Sequence, residues 1–146
     1  MEKNNWLVIS TISKNNLPQS SVVMYNSDGK EIYFVTGKNT LKTKNIQFND
    51  NVSITIPFYR NLFHKLIPAP PAEIHFKAKA QIVSKQDEKA REVLKEIIEF
   101  EEKTGTTEES IWIKVTTGRK IATYGVGVKL LDMRKPEKAR NIVEIN

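Results

Sequence analysis

The stretch 33-YFVTGKNTLKTKN-45 decides the fold, because within it an apolar strand pattern gives way to the start of a helix. The strand pattern ends at Thr36, and Thr40 is a residue type that favours a helix N-cap. No acidic residue follows until Asp50, although a helix N-terminus and its unpaired N–H groups normally attract acidic side chains. Three lysines share this corner: Lys38, Lys42 and Lys44. Such donors predict a bound phosphate monoester, although they equally fit a solvated helix face without a ligand.

The composition of the whole chain predicts one soluble domain over residues 1–146. It is 39% hydrophobic and 27% charged, which is typical of globular proteins. There is no cysteine, and the N-terminus lacks the pattern of a signal peptide, so we expect a cytoplasmic location. The apolar runs are too short to span a membrane. The net charge of +6 favours an anionic partner, and it leaves nucleic acid, nucleotide and phosphate ligands open.

Periodicity along the chain predicts a mainly β fold with added helices. An Asp28-Gly29 hairpin signal joins the second and third strand patterns, so the first three are predicted to form an antiparallel meander. Two helices are predicted, one over 40–48 and one from a capping box at 84–87 to Gly105. The predicted strands cover residues 6–13, 19–26, 31–36, 52–57, 73–84, 111–117 and 120–126. Such short strands indicate an antiparallel β-barrel of six or seven strands rather than a parallel α/β sheet.

Other segments carry weaker signals. The proline-rich segment 57–72 predicts a long loop that acts as a lid or an interface strap, and the tail from Lys129 is a mixed basic segment. The two histidines, His64 and His75, lack the spacing of a metal site, so no metal is expected. No serine has a nucleophile-elbow setting, and the catalytic residues are not identifiable from the sequence.

Around the lysine corner the sequence resembles the pyridoxamine phosphate oxidase-like split barrels, which bind flavin mononucleotide (FMN). The segment YFVTGKNTLKTKNI is similar to the family pattern y-f-x-T-x-x-x-S-x-K-x-x-N-l. Thr36, Thr40 and Lys42 fall on its threonine, serine and lysine. The resemblance therefore implies a split barrel in which Lys42 and Thr40 bind the flavin phosphate, with Thr36 and Leu41 at the same corner.

The resemblance extends over residues 6 to 125. LVISTISKNNLPQSSVVMY resembles the family's opening hairpin with its a-T-x-x-x-G-x-P turn, in which Asn16 replaces the usual glycine. DNVSITI resembles the following n-P-x-V-s-l strand, and EIHFKAKAQIVS resembles the later v-x-G-x-A-x-i-v strand. The resemblance implies that the backbone of the second strand runs along the isoalloxazine edge. The implied residues are Ser21, Val22 and Val23.

The resemblance also implies a homodimer with the cofactor between the subunits, to which Arg119 or Trp112 would contribute from the partner side. Ser21 stands where true pyridoxamine phosphate oxidases carry an arginine, and the C-terminal KLLDMRKPEKARN does not reproduce their Trp-Pro and Arg-Leu motif. That exact oxidase activity is therefore not expected. Trp112 is more typical of a core or interface aromatic than of a cofactor contact, and Arg119 is more typical of a turn residue.

Two functions of different classes follow, with a flavin carrier or sensor without turnover as a third possibility. The first is an FMN-binding oxidoreductase that passes hydride or electrons from a reduced donor to a small-molecule acceptor; a close variant binds a deazaflavin or haem in the same barrel. The second is a basic β-barrel that binds single-stranded nucleic acid. The cationic residues are spread over the helix start, the long loop and the tail instead of alternating with aromatics on one strand, which makes nucleic acid the less favoured partner.

Overall fold

A computed structural model describes residues 6–58, 72–105, 109–129 and 131–145. The strands are β1 (Trp6–Ile12), β2 (Pro18–Met24), β3 (Asn26–Ser27), β4 (Glu31–Gly37), β5 (Asn51–Phe58), β6 (Ala72–Val83), β7 (Ser110–Tyr124) and β8 (Arg140–Glu144). The helices are α1 (Leu41–Phe48), α2 (Glu88–Val93), α3 (Lys95–Thr104) and α4 (Pro136–Ala139), and a 3-10 turn covers Asp132–Arg134. None of the helices in the described ranges combines the length and apolar character needed to cross a bilayer.

All strand pairings are antiparallel, and they form one sheet in the order β2-β1-β5-β6-β7-β4-β3, with β8 added to the second half of β7. The sheet curls until β2 and β4, which do not pair, approach each other. The predicted fold class, a mainly β split barrel with added helices, is therefore confirmed. The gap between β2 and β4 is the side of the barrel on which the candidate site lies.

Alternating apolar residues build the barrel interior. On β5, Val52, Ile54 and Ile56 are buried, as the alternating pattern predicted, and Leu7 and Ile9 of β1 meet them from the neighbouring strand. Each such side chain contributes about 1.5–3 kcal/mol by leaving water. The interior therefore supplies the rigid frame from which α1 projects.

A second apolar layer covers the outer face of β4 and β7. Tyr33 and Trp112 lie there against Leu94 and Ile98 of the α2–α3 segment, and all four side chains are buried. β4 is therefore buried on both faces, by the barrel interior at Ile32 and Phe34 and by the helices at Tyr33.

The predicted meander is wrong in one pairing. β1 pairs with β2 as expected, but the Asp28-Gly29 hairpin joins β4 to the two-residue strand β3 rather than to β2. Only one residue, Tyr25, separates β2 from β3, yet these two strands stand at opposite ends of the strand order. The curl of the sheet brings the two ends together, so the chain passes from one to the other at Tyr25. Among the described strands, none pairs with the outer edge of β2.

The two strands predicted on either side of Thr117-Gly118-Arg119 are one continuous strand, β7. Gly118 lies where the register between β6 and β7 shifts, and a Cβ atom there would be 2.8 Å from the carbonyl oxygen of Lys77. The glycine therefore permits a close backbone approach instead of a turn.

The long helix predicted after 84–87 is also interrupted. Asp87 is its N-cap, accepting a hydrogen bond from the Ala90 amide at 2.8 Å, and the helix breaks at Leu94 into α2 and α3. The C-terminal segment, predicted as a basic tail, packs on β7: Met133 and Ala139 are buried, and the Tyr124 hydroxyl donates to the Met133 carbonyl oxygen at 2.6 Å. Most of the predicted 57–72 loop, together with His64, lies outside the described residues.

Candidate functional site

The start of α1 is a corner rich in hydrogen-bond donors. Thr40 is the N-cap, as predicted, with extended backbone angles (φ −73°, ψ 155°), and its hydroxyl accepts a hydrogen bond from the Thr43 amide at 3.3 Å. The first turn contains no acidic residue. The backbone N–H groups of Leu41 and Lys42 have no acceptor within the described part of the chain. These two amides are available to an anion.

The Thr40 hydroxyl is engaged by the helix itself. The Thr43 hydroxyl has one proton, which it donates to the Gly37 carbonyl oxygen at 2.8 Å. In the 2.9 Å contact between the two hydroxyls, Thr40 is therefore the donor. Thr40 uses its proton to hold the first turn against the end of β4, so its direct contribution to a ligand requires a hydroxyl rotation.

Lys42 is the cation that lies in this corner. Its Nζ donates to the Thr36 hydroxyl at 3.2 Å, and the side chain is half-buried. Within the described ranges Lys42 forms no ion pair, in contrast to Lys79, whose Nζ lies 2.6 Å from a carboxylate oxygen of Asp50. Lys38 and Lys44 are exposed to solvent. The positive charge of Lys42 is therefore partly removed from water without a compensating carboxylate.

The second-strand residues predicted to line the flavin lie on the edge of the sheet. Ser21 and Val23 face the same side as the buried Ile9 and Leu7, with which they pair, whereas Val22 faces outward and is 64% exposed. β2 pairs only with β1 in the described structure, so its other backbone edge presents unpaired N–H and C=O groups toward the gap. This edge has the chemistry needed to pair with the polar rim of a planar ring.

Asn45 links the two parts of the site, and its contacts were not predicted. Its side-chain Nδ2 donates to the Thr11 hydroxyl at 3.0 Å and to Gln19 Oε1 at 3.3 Å. Asn45 is buried, and its partners belong to β1 and β2. Two signals in the sequence pointed to this residue: asparagine has a poor propensity for the interior of a short helix, and Asn45 falls on the asparagine of the family pattern that the segment resembles.

Trp112 and Arg119, which the resemblance placed near the partner's cofactor, differ in solvent exposure. Trp112 is only 3% exposed and lies beneath α2 and α3, so the expectation that it reaches a partner's cofactor is wrong. Its indole Nε1 is buried without a hydrogen-bond partner in the described structure. Arg119 is exposed on the outer face of β7.

Arg119 borders a groove on the outer face of β6, β7 and β8. The groove has a volume of about 470 Å³, apolar walls that include Ala122 and Ile142, and Lys77 and Arg119 at its rim. His75 also lines it, with Nδ1 3.4 Å from a carboxylate oxygen of Glu73. This surface is distinct from the lysine corner, and its chemistry combines an imidazole with cations.

Comparisons with known proteins identify the family of the chain. The family model described as pyridoxamine 5'-phosphate oxidase matches residues 1–122. The chain belongs to this family. A comparison with curated proteins gives no match.

Solved structures of the family's fold are similar at low sequence identity. The haem storage protein HutZ from Vibrio cholerae is 16% identical, with a TM-score of 0.66 over 82% of this chain and 86% of that one. A putative pyridoxamine 5'-phosphate oxidase from Listeria innocua is 21% identical, with a TM-score of 0.59 over 80% and 86%. An F420 reductase is 13% identical, with a TM-score of 0.58 over 80% and 89%. At these identities the likeness establishes the fold alone.

Proposed function

We propose that the protein is an FMN-binding oxidoreductase that passes hydride or electrons from a reduced donor to a small-molecule acceptor. The observation that carries the proposal is Lys42, a half-buried cation without a carboxylate partner in the described structure, beside two open amides at the start of α1. A phosphate monoester supplies the compensating charge and the acceptors for all three groups. FMN ends in such a phosphate, and membership of the family supports this ligand.

The residues of this chain bind and orient the cofactor. Lys42 and the α1 amides hold the phosphate, while the free edge of β2 at Ser21–Val23 pairs with the rim of the isoalloxazine ring. When bound, FMN itself supplies the redox chemistry, so the protein needs no conspicuous acid or base. The protein's contribution is to fix the position of the ring in a site shielded from water.

The proposal includes a homodimer with the cofactor at the subunit interface. The outer face of the β1–β2 hairpin presents exposed apolar side chains next to the ring-binding edge: Trp6 is 50% exposed, Val22 64% and Met24 43%. Adjacent exposed apolar residues mark interaction surfaces. A second copy on this face would cover both the patch and the ring. The cysteine-free composition supports a cytoplasmic location for this dimer.

The optical spectrum of the purified protein tests the proposal. We expect a flavin spectrum as isolated or after reconstitution with FMN, and the mass of the extracted chromophore should be that of FMN. A chromophore with the mass of a deazaflavin would replace FMN by that coenzyme as the assignment. Protein that stays colourless with excess FMN contradicts the proposal.

Haem is the second candidate, favoured by the groove at His75. The contact between Nδ1 and Glu73 leaves the other ring nitrogen, Nε2, as a potential iron ligand. Lys77 and Arg119 at the rim offer partners for carboxylates. A haem spectrum that His75→Ala abolishes and Lys42→Ala leaves intact would replace FMN by haem as the assignment.

A further inference from the structure

We infer that Asn45 is a positioning residue that holds the phosphate end and the ring end of the cofactor site in register. The inference rests on the proposed function and deepens it. The phosphate corner lies at the start of α1, which follows β4, and the ring-binding edge lies on β2; β4 and β2 stand near opposite ends of the sheet order. Asn45 is the residue of α1 whose side chain bonds to β1 and β2 together.

The hydrogen bonds of Asn45 form a closed arrangement. Both protons of its side-chain amide are used, one by the Thr11 hydroxyl and one by Gln19 Oε1. The Thr11 hydroxyl in turn directs its proton toward the Gln19 carbonyl oxygen at 3.4 Å. Gln19 lies two residues before Ser21 on the same strand, so the bond from Asn45 reaches the start of the ring-binding segment.

The other anchors of α1 do not replace this link. The Thr43 hydroxyl fixes the helix to Gly37 at the end of β4, and Ile46 inserts into the barrel core. The first anchor positions α1 relative to β4 only. Ile46 sets which face of α1 points into the core, but it makes no directional bond to β2. Loss of the Asn45 bonds therefore frees α1 to shift relative to β2.

Such a shift has a specific consequence for ligands. Riboflavin contacts the ring-binding edge but has no phosphate, whereas FMN must reach β2 and the corner at Lys42 together. A change of register therefore weakens FMN more than riboflavin. The ratio of the two dissociation constants measures the positioning, while a general loss of stability changes both constants alike.

The experiment compares wild type, Asn45→Ala and Asp87→Ala by titration with FMN and with riboflavin. Asp87→Ala is the matched control, because it removes the N-cap of α2 and destabilises the chain away from α1. We expect Asn45→Ala to lower the ratio of the riboflavin dissociation constant to the FMN dissociation constant by about fivefold or more. The reason is that the contact between Lys42 and the phosphate is displaced but not removed. Asp87→Ala should leave the preference unchanged. Gln19→Ala, which removes one of the two bonds, provides a milder variant should Asn45→Ala not fold; it should shift the ratio in the same direction.

A double variant identifies the route of the effect. If Asn45 acts through the corner, its substitution should have a smaller effect on the ratio in a Lys42→Ala background than in wild type. One outcome refutes the role of Asn45 and leaves the phosphate corner standing. In that outcome the wild type prefers FMN, Lys42→Ala abolishes the preference, and both Asn45→Ala and Gln19→Ala keep it. A wild type that binds FMN no better than riboflavin refutes the phosphate corner itself, and the inference falls with it.

Discussion

Substitution of Lys42 by alanine should weaken FMN binding strongly and riboflavin binding little. Lys42 is half-buried, donates only to the Thr36 hydroxyl and has no carboxylate partner in the described ranges, so its charge is poorly screened at the corner. A hydrogen bond between charged groups contributes about 1.5–3 kcal/mol. That range corresponds to a loss of about 10- to 150-fold in FMN affinity.

The matched control for this variant is Lys44→Ala. Lys44 lies on the same helix but is exposed, so its interaction with a phosphate is screened by solvent and should change the FMN affinity by no more than about threefold. Fluorescence titrations with FMN and riboflavin at one fixed ionic strength measure all the constants. Equal losses for both ligands with Lys42→Ala, or equal effects of the two lysines on FMN, would refute the assignment of the phosphate to this corner.

Two further predictions concern stability. The Lys89 ammonium, together with the backbone N–H groups of Glu31 and Lys30, holds the pKa of Asp28 well below its ordinary value. The Asp28 carboxylate therefore stabilises the folded state fully above its unfolded pKa of about 4, and this stabilisation is lost as the pH falls toward its folded pKa. Asp28→Asn should flatten the acid side of the stability profile in urea titrations between neutral and low pH, and an unchanged slope would count against this ion pair. Trp112→Phe should change the free energy of unfolding by less than about 1 kcal/mol, because removing the unpaired buried Nε1–H offsets the lost volume, whereas Trp112→Ala should cost about 3–5 kcal/mol. Chemical denaturation of both variants provides the check, and a Phe variant as unstable as the Ala variant would contradict the offset.

The parts of the fold that depend on local pattern were predictable. The alternation of Val52, Ile54 and Ile56 identifies β5 because burial on one face of a strand requires a period of two. Thr40 identifies the start of α1 because its hydroxyl satisfies an orphan amide of the first turn. In both cases the sequence signal lies within a few residues, although the side chains that pack on β5 include Leu7 and Ile9 of the distant β1.

Features that depend on distant neighbours were not predictable. Gly118 has the local character of a turn, and only the approach of the Lys77 carbonyl explains a glycine inside β7. Strand β8 exists because Arg140–Glu144 pairs with the free half of β7, although its five residues are all exposed and carry no burial pattern. The same dependence on a distant strand explains why the sequence predicted only a mixed basic tail from Lys129.

The candidate site also has one part that the local sequence predicts and another that depends on distant neighbours. The lysine corner is continuous in sequence, and the predicted contact of Lys42 with Thr36 is present. The network of Asn45 joins residues 26 and 34 positions apart and therefore depends on how α1 packs on the β1–β2 hairpin. The burial of Trp112 likewise follows from the packing of α2 and α3 on β7, which residue type alone does not specify.

The most direct measurement is a crystal structure of the protein with FMN. We expect the phosphate at the start of α1, with Lys42 Nζ and the amides of Leu41 and Lys42 within about 3 Å of its oxygens, the ring along the edge of β2, and a second protomer over Trp6 and Met24. A structure in which FMN lies elsewhere and Lys42 extends into solvent would contradict the central claim.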